Sequence, residues 1–110
     1  MFIAINNLKA KPGRGGELED RFAKPRGLDE QAGFVGFELL KRTWAPGADD
    51  SDEPGVEHYL VVTRWQSMRD FISWTKSDAF KEAHAGGRPD FLAGGGHPAG
   101  YEVALSRESE

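Results

Sequence analysis

The sequence predicts a single α+β domain in the order strand, helix, strand, strand, helix, strand, and three observations carry that prediction. Short strand-forming runs end at Gly, Pro or polar clusters. Two intervening runs repeat apolar residues at helical spacing, the first with carboxylates in its opening turn and the second behind capping side chains. The 110 residues are the length of one ordinary domain with one modest core, so residues 1–110 are read as one unit.

FIAINNLKA, residues 2–10, alternates as a strand does. Phe2, Ala4, Asn6 and Leu8 share one face, and Ile3, Ile5, Asn7 and Lys9 the other. Asn6 therefore sits among apolar neighbours. KPGRGG breaks the strand, and ELEDRFAK, residues 17–24, predicts a helix with carboxylates in its first turn, Leu18 and Phe22 one turn apart, and Pro25 as its stop. Leu28 to Ala32 adds a helical turn. Gly33 then precedes a second strand, FVGFELLKRTW, residues 34–44. APGADDSDEPG, residues 45–55, is too rich in Gly, Pro and Asp for regular structure and predicts a mobile hairpin loop.

HYLVVTRW, residues 58–65, is the third strand, with Tyr59, Val61, Thr63 and Trp65 on one face and His58, Leu60, Val62 and Arg64 on the other. Apolar side chains on both faces mark it as a central strand. Ser67 with Asp70 forms a capping box, after which Met68, Phe71, Ile72 and Thr75 recur at helical spacing. Ser77 caps a restart through Phe80 and His84 to Gly86-Gly87, whose left-handed conformation ends the helix. A loop over residues 86–100 leads to a last strand, YEVALS, residues 101–106. The order β-α-β-β-α-β is that of the ferredoxin-like fold. Its two helices cover one face of the sheet, so a homodimer with two sheets packed together, a dimeric α+β barrel, is the expected solution for the other.

Zero cysteines exclude disulfides, iron–sulfur clusters, thiolate zinc sites and a Cys nucleophile. A net charge of −4, with one acidic block at Asp49, Asp50, Asp52 and Glu53, gives no footprint for nucleic acid or an anionic membrane. With no bilayer-length apolar run and no signal-peptide pattern in MFIAINNLKA, the expected setting is the cytoplasm. Small molecules and protein partners remain.

Three residues are candidates for chemistry. A lone His on an apolar helix face is more often a core residue than a ligand. His84, however, ends its helix, where a cation is favoured, and neighbours a glycine pair that lets a broad planar molecule approach. Neutral imidazole is a ready donor to iron, haem iron included. Trp65 reads as a rim aromatic at a strand end or as a site wall. Asn6 reads as an amide bonding the backbone or as one that waits for a ligand, since an amide among Phe2, Ala4 and Leu8 needs partners.

INNL, VVTRWQS and FISWTKSDAFKEAHAG, in this order and at these separations, resemble the haem-degrading monooxygenases of the antibiotic biosynthesis monooxygenase superfamily. The likeness covers roughly residues 2–88 and the last strand. It implies that Asn6, Trp65 and His84 form the site, with Asn7 the weaker alternative to Asn6. It implies that haem is both cofactor and substrate, opened by dioxygen with electrons from an external donor, a reductase, releasing iron and a linear tetrapyrrole. His84 is then the iron ligand, Asn6 an orienting amide and Trp65 a ring pressed on the macrocycle. Arg88 matches a basic position that would meet a propionate, and Phe22, Phe71 and Trp74 are expected walls. The long acidic loop and the glycine-rich segment after His84 depart from the family pattern. Two other readings stay open: a cofactor-independent monooxygenase of the same superfamily acting on a phenol or quinol, for which His84 is superfluous, and a non-catalytic haem-binding module. A non-haem metal site built from His58, His84 and His97 lacks ligand spacing.

Overall fold

The computed structural model describes residues 1–48 and 53–109, so Asp49, Asp50 and Asp52 of the expected loop lie outside the described residues. The elements are β1 (Phe2–Ala10), α1 (Gly15–Phe22), a 3-10 turn (Leu28–Glu30), β2 (Phe34–Lys41), β3 (Glu57–Trp65), α2 (Met68–Thr75), α3 (Asp78–Ala83), β4 (Leu92–Gly95) and β5 (Ala99–Glu102). The antiparallel sheet runs β2-β3-β1-β4, with β5 also paired to β1. This is the ferredoxin-like order, with the fourth strand delivered in two pieces. β4 lies along the C-terminal part of β1, Leu8 opposite Gly95, and β5 along its N-terminal part, Ile5 opposite Ala99.

The last strand thus differs from the expected residues 101–106. Its first piece hides in LAGG, whose glycines disfavour a strand by propensity. Gly95 has φ 107 and lies so close to β1 that a Cβ there would collide with the Asn7 carbonyl. At the other end Val103 N–H reaches the Met1 carbonyl at 3.0 Å, and the residues beyond it run past the start of β1. β2 also stops short of the expected Trp44, which is 82% exposed.

α1 begins two residues before the expected Glu17. Glu57, at the start of β3, accepts the Gly15 N–H through Oε2 at 2.8 Å and pairs with Lys41 Nζ through Oε1 at 2.9 Å. A remote carboxylate therefore serves the positive end of the helix. A Cβ on Gly15 would collide with Tyr59 Oη and the Glu57 carboxylate, so glycine allows this close approach. The second helix divides where Ser77 was expected to restart it. Its Oγ donates to the Trp74 carbonyl at 2.7 Å, closing α2, and accepts the Phe80 N–H at 3.1 Å, opening α3. Ser67 and Asp70 form the expected box, with Asp70 N–H donating to Ser67 Oγ at 3.2 Å.

β1 and β3 occupy the middle of the sheet, as their two apolar faces require. On the helix-covered side the core is divided. One buried cluster gathers Phe2, Ala4, Leu28, Trp65 and Trp74; a second gathers Ala10, Leu18, Tyr59 and Phe91. The middle of β1, at Asn6, belongs to neither. No helix among the described residues is long and apolar enough to cross a membrane.

Candidate functional site

A cavity of about 720 Å³ opens where the core divides. Ala4, Trp74 and Phe80 from the first cluster and Leu8, Phe22 and Phe91 from the second face it, so it is apolar on both sides. The strands form its floor. Asn6, His84, Arg88, Phe22, Phe71 and Trp74 all line it, so residues far apart in sequence meet in one space.

Asn6 stands at the centre of β1 on the same face as Ala4 and Leu8. Its Oδ1 is buried and has no hydrogen-bond partner. Leaving a buried acceptor unmet costs about 1–3 kcal/mol. Asn7, its alternative, is exposed and faces the opposite side of the strand.

His84 is the residue on which α3 ends, and its side chain is exposed. The ring stacks on Phe80 with centroids 4.0 Å apart and planes at 27°. Its Nδ1 lies 2.8 Å from the Phe80 carbonyl oxygen. A carbonyl can only accept, so this bond puts the proton on Nδ1 and leaves the Nε2 lone pair for a metal. The sequence shows a His and a Phe four apart; the double hold of Phe80 on the imidazole is a structural addition.

Trp65 is placed differently from the other candidates. It lies on the expected face of β3 but does not line the cavity; it is 0% exposed, packed edge-on against Phe34 and Phe71 at 5.5 and 5.9 Å between centroids. The physical reason is its place at the end of the strand, where β2 and α2 close over it. Its indole Nε1 donates to Thr63 Oγ1 at 2.9 Å, and Thr63 does line the cavity.

Arg88 is one of four cations at this site. Arg21, Lys24 and Arg26, from the end of α1 and the turn after it, also line the cavity. Arg21 Nη2 and Arg26 Nη1 both donate to the Ala83 carbonyl, at 3.2 and 3.5 Å, which ties this turn to the end of α3 beside His84. RFAKPR looks like an ordinary solvated helix end in sequence; only the docking of that end against α3 turns it into a rim.

His58 lies on the other face of the sheet, in a recess of about 390 Å³ with Leu40 and Leu60, and His97 does not line the cavity. Among the described residues no group of three or more His, Cys, Asp or Glu side chains could hold a metal ion.

Fold and site together define a class: a ferredoxin-like domain whose split core encloses an apolar space with one available imidazole, one orphaned amide oxygen and a cationic edge. The chain belongs to the antibiotic biosynthesis monooxygenase family, whose model matches residues 1–86. It is 38% identical over 96 residues to a heme-degrading monooxygenase of Shouchella clausii, covering 86% of this chain and 82% of that protein. A heme-degrading monooxygenase of Bacillus thuringiensis is 39% identical over 94 residues, 84% of this chain and 80% of that one. The crystal structure of a mutant of MhuD with two manganese protoporphyrin IX molecules bound per active site superposes with TM-score 0.74 at 32% identity, over 99% of this chain and 100% of that one. The heme-degrader MhuD of Mycobacterium tuberculosis, with two hemes bound in its active site, gives TM-score 0.68 at 34% identity, over 98% and 100%.

Proposed function

We propose that this protein is a haem-degrading monooxygenase that binds haem in the split-core cavity and opens the porphyrin with dioxygen and electrons from an external reductase. The observation that carries the reading is the juxtaposition, in one apolar space, of a histidine with a free Nε2 and a buried amide oxygen with no partner. A flat apolar macrocycle with a metal centre and anionic edge groups fits each part of that donor set.

His84 would hold the iron through Nε2, its ring fixed by Phe80. Haem bound there supplies the iron at which dioxygen is activated, releasing iron and a linear tetrapyrrole when the ring opens. Phe22, Phe71 and Trp74 exclude water from the faces of the ring. Asn6 presents its amide to whatever polar group lies above the floor. Arg21, Lys24, Arg26 and Arg88 receive the propionates at the edge, where charge-assisted hydrogen bonds are strong. Trp65 remains a site residue in this reading, the ring that would press on the macrocycle.

The working unit is proposed to be a homodimer, with the cytoplasm as its setting. Leu40, Leu60 and Val35 are 45%, 38% and 46% exposed in this one chain, and the side chains of Leu40 and Leu60 lie on the face of the sheet away from the helices. A second sheet laid on that face would cover them.

Titration of the apoprotein with hemin, followed by a reductase or chemical reductant in air with catalase present, tests the reading. A histidine-type Soret band that decays with iron release is expected. No Soret band would overturn it; a stable band under reduction would leave a haem-binding module in its place.

A further inference from the structure

His84 stands at the end of α3, and little within that helix holds it in place. α3 has six residues, none of them buried, and a helix so short does not persist on its own. Beyond His84 the chain turns through Gly86 and Gly87, where a Cβ would meet nothing within 4 Å. Ser77 secures the first turn by accepting the Phe80 N–H, and the last turn needs an anchor of its own.

That anchor comes from α1. The last carbonyls of a helix lack intrahelical donors, and a cation is favoured beside them. The Ala83 carbonyl, next to His84, accepts from Arg21 Nη2 at 3.2 Å and from Arg26 Nη1 at 3.5 Å. Arg21 is the firmer of the two, because its bond is half-buried and that of Arg26 is exposed. It also stands in the last turn of α1, with Leu18 fully buried below it and the neighbouring Phe22 ring stacked on Phe37 at 6.1 Å. The turn that follows is pressed onto the start of α3, since a Cβ on Gly27 would lie 3.0 Å from the Ala79 Cβ. α1 and its turn therefore grip α3 at both ends.

We infer that Arg21 is a positioning residue for His84, which caps α3 through the Ala83 carbonyl and so fixes where the imidazole stands at the cavity. The inference rests on the proposed haem site. A guanidinium has five N–H donors, so the one given to Ala83 leaves others for a propionate. One side chain then joins the edge of the macrocycle to its iron ligand. A ligand without carboxylates still depends on Arg21, which separates this role from charge recognition at the rim.

The test compares wild type with Arg21→Ala, Arg26→Ala and Lys24→Ala, the last removing a rim charge outside the clamp. The His84 and Ala85 N–H groups close the last turn of α3. In the apoprotein their hydrogen exchange is expected to quicken about 5- to 10-fold in Arg21→Ala, the size of one net hydrogen bond. Arg26→Ala should act in the same direction more weakly, and the Phe80 amide, held by Ser77, should stay as it is. Hemin dimethyl ester, which offers no propionate charge, should bind about 2- to 5-fold more weakly to Arg21→Ala. The electron paramagnetic resonance of its ferric iron should broaden as the imidazole takes a spread of orientations. Lys24→Ala should weaken hemin alone, leaving the ester, its resonance and the exchange rates at wild-type values. Ester binding and resonance unchanged in Arg21→Ala would overturn the inference and leave the haem reading standing. Equal acceleration of the Phe80, His84 and Ala85 amides would also overturn it, as general loosening of the helix. If Arg21→Ala does not fold, the same readouts in Arg26→Ala decide. A wild type with no histidine-type Soret band would overturn the haem reading and this inference together.

Discussion

His84 and Phe80 are joined twice, by ring stacking at 4.0 Å and by a hydrogen bond of 2.8 Å from Nδ1–H to the Phe80 carbonyl. The backbone half of that hold survives any substitution at position 80 that keeps the helix; the stacking half does not. Phe80→Ala should therefore weaken hemin binding by roughly 2- to 10-fold, the range of an aromatic pair, while keeping a histidine-type Soret band. His84→Ala should lose the band. Equal spectra for wild type and His84→Ala would move the ligand role to another residue.

Asn6 gives a prediction in which stability and turnover move in opposite directions. Asn6→Leu removes a buried acceptor without a partner and replaces it with an apolar group of similar size, so the apoprotein should melt higher, by about 1 kcal/mol of added stability. Loss of a hydrogen bond at a reacting centre costs ~2.7–4 kcal/mol, so haem decay should slow by roughly 10² to 10³. Calorimetry and a bleaching assay read the two effects. An apoprotein destabilised by the change would show that Asn6 is already satisfied.

The cationic rim predicts a ligand requirement. If Arg21, Lys24, Arg26 and Arg88 receive propionates, hemin dimethyl ester should bind more weakly than hemin, and added salt should narrow the difference. Arg21→Ala should reduce hemin affinity about 3- to 10-fold, with smaller effect on the ester. Identical salt dependence for both ligands would remove the rim from the site.

The contact between α1 and the sheet predicts stability at both ends of the pH scale. Tyr59 donates to Glu19 Oε2 at 2.7 Å, and burial followed by this bond pushes its phenol up from 10.0 to about 12. The neutral phenol is favoured by folding, so its contribution is complete below pH 10 and lost as pH rises toward about 12. Tyr59→Phe should flatten the alkaline limb of a melting-temperature profile. Glu57 behaves oppositely. Lys41 and then the Gly15 N–H hold its carboxyl below the ordinary 4.5, so its contribution is complete above that value and lost as pH falls. Glu57→Gln should cost roughly 1 kcal/mol at neutral pH and flatten the acid limb. Unchanged limbs in these variants would show that the α1 contact does not govern them.

The uncovered sheet face predicts the assembly state. Light scattering at micromolar concentration should give twice the chain mass, and Leu40→Glu with Leu60→Glu should give the monomer. A monomeric wild type would contradict the proposed dimer.

Much of this was legible in the sequence because the signals are local. The alternation of FIAINNLKA places Asn6 on the apolar face, and Ser67 and Ser77 mark both helix starts by the hydroxyls they present. What escaped depends on contacts across the chain. Glu57 caps α1 from 42 residues away, and no helix-start pattern encodes that. LAGG becomes a strand because β1 has an open edge there, against the preference of its glycines. Trp65 was readable as a strand-end aromatic, but its depth depends on Phe34 and Phe71 arriving from other elements.

The division of the core has a thermodynamic consequence. A protein with two apolar clusters and space between them treats a snugly fitting ligand as missing packing material, and any ligand that binds only the native state raises its stability by mass action, by about 2.7 kcal/mol at a hundredfold excess over Kd. An enzyme that destroys such a ligand dismantles its own reinforcement with each turnover. Its resistance to proteolysis should therefore track haem supply, highest when substrate is plentiful and falling once the last of it has been consumed.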